Sequence, residues 1–119
     1  MITKNIINKV LWSTIEDYSG LWEIVWEINS LIEGADSRAI AKEVLALLKN
    51  HGLIEYYFAK WGQEGLKKIS ESEMRELLEE DQYWAPPSID QDCIKVGSTQ
   101  KGEEYYYEDK IRSTSPFLP

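Results

Sequence analysis

Apolar residues recur through the first fifty positions at helical spacing. Ile7, Leu11, Thr14, Ile15 and Tyr18, with Ile6 and Val10 beside them, follow i, i+3, i+4 intervals and predict a first helix over about residues 4–18, stopped by Gly20. Leu21, Ile24, Val25, Ile28, Leu31 and Ile32 repeat the pattern, and Trp22 and Trp26 widen it until only Glu23, Glu27 and Ser30 are left as a polar strip. A second helix so broadly apolar must be mostly covered, either at the centre of a small helical core or with its tryptophan edge buried by another subunit. After a turn at residues 33–37, in which Asp36 or Ser37 can accept a hydrogen bond from the opening N–H groups, a third helix runs to about Asn50. Its buried stripe is Ile40, Val44, Leu47 and Leu48, flanked by Ala41 and Leu45.

Beyond Asn50 the period changes. Gly52 stands where a left-handed helix cap is needed, and Leu53 can fold back onto Leu48. Leu53 to Trp61, bounded by Gly52 and Gly62, is rich in aromatic and β-favouring residues and predicts a strand. Leu66–Ile69 predicts a short second strand, and Ser70-Glu71-Ser72-Glu73 is a capping box opening a fourth helix to about Glu80, which Pro86 and Pro87 cannot continue. Cys93–Val96 alternates as a strand, and Ser98-Thr99 can cap a last helix over about 100–111. Residues 112–119 are expected to be a mobile tail. Ile24, Val25, Ile28, Ile40, Val44, Leu47, Leu48 and Ile54 are expected to be almost completely buried.

Three helices, a strand entered through Gly52-Leu53-Ile54, and a later strand leading into Thr99-Gln100-Lys101-Gly102 give an order that resembles a winged helix-turn-helix domain. In that superfamily the third helix is the recognition helix, often ending in a GLI-like step into the wing, and a T-x-x-G step often follows the second wing strand. The resemblance covers about residues 4–108 and implies an α+β, mostly α fold. Its parts are a three-helix winged-helix-like core, a small antiparallel β-wing and a C-terminal helix, in one domain over residues 1–111. Residues 62–92, including an acidic helix, stand as an insertion within the wing where a standard wing has a short tip.

Composition narrows what such a domain could do. Leu, Ile, Val and Phe make up 30 of 119 residues, enough apolar content to fold a chain of this charge. The 13 Lys and Arg against 21 Asp and Glu give a net charge of −8, which opposes nonspecific attraction to phosphate and to anionic lipid. The longest stretch without a charged residue is Gln82 to Ile89, far short of the roughly 18 apolar residues that span a bilayer. Lys4 and Lys9 interrupt any secretory leader, and one cysteine with no Asn-x-Ser/Thr acceptor points to a reducing cytoplasm.

The same residues argue against catalysis. His51 at a helix C-terminus is accounted for by capping, and Cys93 before an apolar strand reads as a small buried hydrophobe, although a Cys93–His51 pair would be a nucleophile and base if the fold joined them. Asp90 and Asp92 lack a third ligand at calcium-loop spacing, and one His and one Cys cannot make a site of those ligands alone. No cofactor, metal or enzymatic activity is expected.

Two surfaces remain as candidates. Glu71, Glu73, Glu76, Glu79, Glu80 and Asp81 against Arg75 alone make the fourth helix strongly negative outside, with Met74, Leu77 and Leu78 beneath needing an apolar seat at the 56–61 strand and at Tyr83 and Trp84. Such a ridge suits a basic protein partner. The leading expectation is therefore a non-enzymatic regulatory or adaptor domain whose partner contacts are Glu76, Glu79 and Glu80 with Trp22, Trp26, Trp61 and Trp84, self-association as a homodimer being one form of contact. The alternative is a transcription regulator presenting Arg38, Lys42, Lys60, Lys67 and Lys68 as a local basic patch. Only Arg38 and Lys42 could read guanine edges, and the third helix carries a balance of just +1 from Asp36 to Asn50.

Overall fold

Thr3 opens α1 (Lys4–Glu16), its hydroxyl accepting a hydrogen bond from the Ile6 N–H at 3.3 Å. The structure, a computed structural model, describes residues 3–32 and 36–112, with side chains to Glu108. The centre of the 33–37 turn and the expected tail beyond Arg112 lie outside the described residues. Helix α1 stops two residues earlier than its periodicity predicts, because Asp17 is extended and Ser19–Gly20 forms a two-residue strand, β1. Tyr18 is consequently half exposed rather than part of the buried stripe, while Ile6, Ile7, Val10, Leu11 and Thr14 are buried.

Helix α2 (Leu21–Leu31) starts directly from β1, with the Glu23 carboxylate accepting from the Gly20 N–H at 3.0 Å. Leu21, Trp22, Ile24 and Ile28 are buried, but Val25 is only partly so and Trp26 is 58% exposed. With Trp26 at the surface, the apolar circumference is less covered than its width predicts. Helix α3 (Ser37–Asn50) is capped by Asp36, whose carboxylate accepts from Ala39 N–H at 3.1 Å. Its buried face is Ile40, Ala41, Val44, Leu45 and Leu48, so Leu45 takes the central place expected for Leu47, which sits half-buried at the edge.

Gly52, at φ +72°, ends α3. The Leu53 N–H donates to Leu48 O at 3.0 Å and the Gly52 N–H to Lys49 O at 2.9 Å, the two bonds of a Schellman cap. The chain enters β2 (Ile54–Lys60), which pairs antiparallel with β4 (Asp92–Ser98) from Ile54 opposite Ser98 to Lys60 opposite Asp92. Between them the Trp61 N–H donates to Gln91 O at 3.0 Å and the Asp90 N–H to Trp61 O at 2.9 Å, so the insertion leaves and re-enters the hairpin at one point. Within it are β3 (Lys67–Lys68), α4 (Glu71–Leu77) and a 3-10 turn at Asp81–Trp84 that sequence periodicity does not show. α4 ends at Leu77 rather than near Glu80.

The antiparallel sheet has the order β1-β4-β2-β3. The fold is α+β and mostly helical. Helix α5 (Gln100–Arg112) returns to α1, where Tyr106 stacks on Trp12 with centroids 5.3 Å apart. One core joins α1, α2, α3, β2, β4 and α5 with Met74 and Trp84 of the insertion. Among the described residues no helix is long and apolar enough to cross a membrane.

Candidate protein-interaction surface

The insertion is built to be ordered. Ser70 Oγ accepts from the Glu73 N–H at 3.3 Å, and Glu73 Oε1 accepts from the Ser70 N–H at 3.4 Å, which closes the capping box. Met74 is 2% exposed, with Leu77 and Leu78 packed partly against the same core. Trp84 locks the far end, its indole N–H donating to Leu78 O at 2.8 Å, and Tyr83 meets Phe58 edge to face at 6.2 Å. The expected aromatic seat is used. The 3-10 turn also brings the acidic segment onto α3.

That second contact changes the charge of α3. Arg38 Nη1 lies 2.6 Å from Asp81 Oδ1, its guanidinium stands 5.3 Å over the Trp84 ring, and Lys42 Nζ lies 3.4 Å from Glu79 Oε1. The two cations that could read bases are therefore paired within the chain. Lys60 pairs with Asp92 at 2.9 Å, and Lys68 lies 3.7 Å from Glu55, which also holds Lys49 at 2.9 Å. Lys67 is exposed on β3. Such pairs are partly exposed and contribute little to stability, but each brings a carboxylate to the cation that a phosphate would seek. Glu76 and Glu80 remain exposed, as does Glu79 at its pairing distance from Lys42.

The four candidate tryptophans divide. Trp22, 4% exposed, packs against Ala59 and Cys93, and Trp84, 9% exposed, is enclosed by its bond to Leu78, so these two belong to the core and not to a contact surface. Trp26 is on the surface. Trp61 is partly exposed, edge to face with Trp22 at 5.4 Å and with the Lys95 ammonium 5.3 Å from its ring centroid. It borders a cleft of about 330 Å³ whose walls include Glu16, Asp17, Glu23 and Glu27. Glu16 and Asp17 stand at the end of α1, and Glu23 and Glu27 belong to the polar strip of α2; β1, which joins the two helices, pairs with β4, the strand that also carries Lys95 of the same cleft.

The two residues that could form a nucleophile and base pair, Cys93 and His51, lie apart in the fold. Cys93 is 2% exposed and burial pushes its thiol up, against a smaller opposing effect of Lys95. It sits opposite Ala59, whereas His51 caps α3 at the other end of the same ladder, beyond Ile54. The five steps along the strand from Ile54 to Ala59 span about 17 Å, which keeps the two apart. Asp90, at φ +66°, accepts from Gln63 Nε2 at 2.6 Å. Among the described residues no group of three or more His, Cys, Asp or Glu could hold a metal ion. No family model, curated protein or solved structure matches the chain.

Proposed function

We propose that this chain is a non-enzymatic regulatory or adaptor module of winged-helix-like construction, which works in the cytoplasm by contact with a basic protein surface. The observation that carries the reading is the pairing of Arg38 with Asp81 and of Lys42 with Glu79: the acidic insertion occupies the cations of the helix that a DNA-binding relative would use. Glu76 and Glu80 then extend the negative charge outward. The element order and the meeting of the Gly52-Leu53 and Thr99–Gly102 steps support the winged-helix resemblance.

The test joins charge reversal to two probes. Glu76, Glu79 and Glu80 changed together to Lys should leave the unfolding transition nearly unchanged, since exposed charges contribute little to stability. The wild type should bind a Lys- and Arg-rich model peptide in a salt-sensitive manner and the reversed variant should not, while neither a mixed nor a selected DNA duplex binds the wild type at low salt. Equal peptide binding by both proteins, or recovery of one tight DNA motif, overturns the reading in favour of the transcription-regulator alternative or of the bare fold.

A further inference from the structure

Between α3 and α4 lies a cavity of about 230 Å³ that the proposed partner contact does not use. Ala46 and Lys49 of α3 form one side, Met74, Arg75 and Leu78 the other, and Tyr56 of β2 lines it from the sheet. Tyr56 is 3% exposed, and none of the hydrogen bonds among the described residues uses its hydroxyl. Its hydroxyl is not one of the fully enclosed polar atoms, so it reaches the cavity as a donor that the protein does not use. An apolar wall and a donor that the protein leaves unused are features of a small-molecule site.

The surrounding charges say what kind of molecule fits. Lys49 is bonded to Glu55 at 2.9 Å, and Arg75 Nη2 lies 3.9 Å from Glu71 Oε1, so the cations at the mouth already face carboxylates. Burial, and then the negative charge of Glu71 and of Glu55, keep the Tyr56 hydroxyl protonated well above the usual tyrosine range. It therefore stays a donor, and the same two carboxylates repel an anionic acceptor brought to it. The volume lies below the roughly 300–1,000 Å³ of pockets that enclose drug-sized molecules, which limits the occupant to one ring or a short branched chain.

We infer that the cavity between α3 and α4 is a binding site for a small uncharged apolar molecule carrying one hydrogen-bond acceptor, such as a monocyclic ketone, with Tyr56 donating to that acceptor and Met74 and Leu78 packing on the apolar body. The site does not depend on whether a protein docks on the acidic ridge.

Three probes of similar size separate the contributions: acetophenone carries a neutral acceptor, ethylbenzene none, and benzoate a charged one. Each is titrated into the full chain with the methyl groups of Met74, Leu78 and Ala46 followed by NMR. Acetophenone should shift those methyls and bind about tenfold more tightly than ethylbenzene, the factor that one buried hydrogen bond supplies, with benzoate weakest. Tyr56→Phe should bring acetophenone down to the level of ethylbenzene and leave ethylbenzene unchanged. Should Tyr56→Phe fail to fold, the order of the three probes on the wild type still decides. Shifts confined to other methyls, no binding by any probe, acetophenone no tighter than ethylbenzene, or benzoate tightest of the three would each overturn the assignment.

Discussion

Thr99 ties the two ends of the hairpin region to the last helix. Its hydroxyl donates to Gly52 O at 2.7 Å and accepts from the Gly102 N–H at 3.0 Å, while its backbone N–H donates to Leu53 O at 2.9 Å. Gly102 lets this happen, because a Cβ there would stand 2.2 Å from the Leu53 carbonyl oxygen, which belongs to backbone and cannot swing aside. Gly102→Ala should therefore cost about 1–3 kcal/mol, and Thr99→Ala about 1 kcal/mol for the lost cap, both measured by urea unfolding. Equal stability of Gly102→Ala and wild type would mean that α5 can retreat from Leu53 at no cost. Leu48, fully buried and the acceptor of the Schellman bond, should lose about 2–5 kcal/mol on truncation to Ala. Cys93 offers a separate check: with its thiol buried and pushed up, alkylation by iodoacetamide should be slow in the native protein and become fast in denaturant.

At the scale of elements, what could be read from the chain was what neighbouring residues decide. The Ser70–Glu73 capping box, the Asp36 cap and the Gly52 stop each depend on atoms a few residues apart, and each is found where the sequence places it. The stripe of α3 was legible in period but not in phase, because whether Leu45 or Leu47 faces inward depends on where α2 and β2 lie. Strand β1 was invisible, since two residues carry no period and their pairing comes from Val96 and Lys95 of β4. The insertion's grip on α3 was out of reach for the same reason: Arg38 and Asp81 are 43 positions apart. A double-mutant cycle on that pair should give a coupling below about 1 kcal/mol, as for partly exposed ion pairs. Arg38→Ala alone should cost more than Asp81→Ala, because it also uncovers the face of Trp84. A larger loss from Asp81→Ala would place the anchorage of the insertion in the ion pair instead of in the ring contact.

Across the whole molecule, the groups with raised proton affinity predict how the fold meets alkali. Burial raises Tyr56 first, helped by Glu71 and Glu55; burial likewise raises Tyr57 and Tyr83, and the Asp92 hydrogen bond raises Lys60. For each, the folded protein holds its proton more tightly than the unfolded chain. Their contribution to stability is therefore complete below the unfolded values near 10 for tyrosine, and it is lost as pH rises through and beyond them. Only Tyr56 is buried deeply enough for a large effect: above about pH 10 the unfolded chain releases a proton that the folded Tyr56 keeps, and stability falls by about 1.4 kcal/mol per pH unit from this group alone. A chain of net charge −8 also loses stability in alkali as lysines discharge and like charges repel, so the slope of the wild type by itself does not isolate Tyr56. Tyr56→Phe does isolate it, because it removes the titrating hydroxyl and leaves the rest of the charge unchanged. Urea unfolding followed by tryptophan fluorescence from pH 7 to 11 should show the variant and the wild type falling in parallel to about pH 10, and the variant falling less steeply beyond it. Parallel curves over the whole range would mean that the Tyr56 hydroxyl is solvated in the folded protein, and that neither its raised proton affinity nor its place as an unspent donor in the cavity stands.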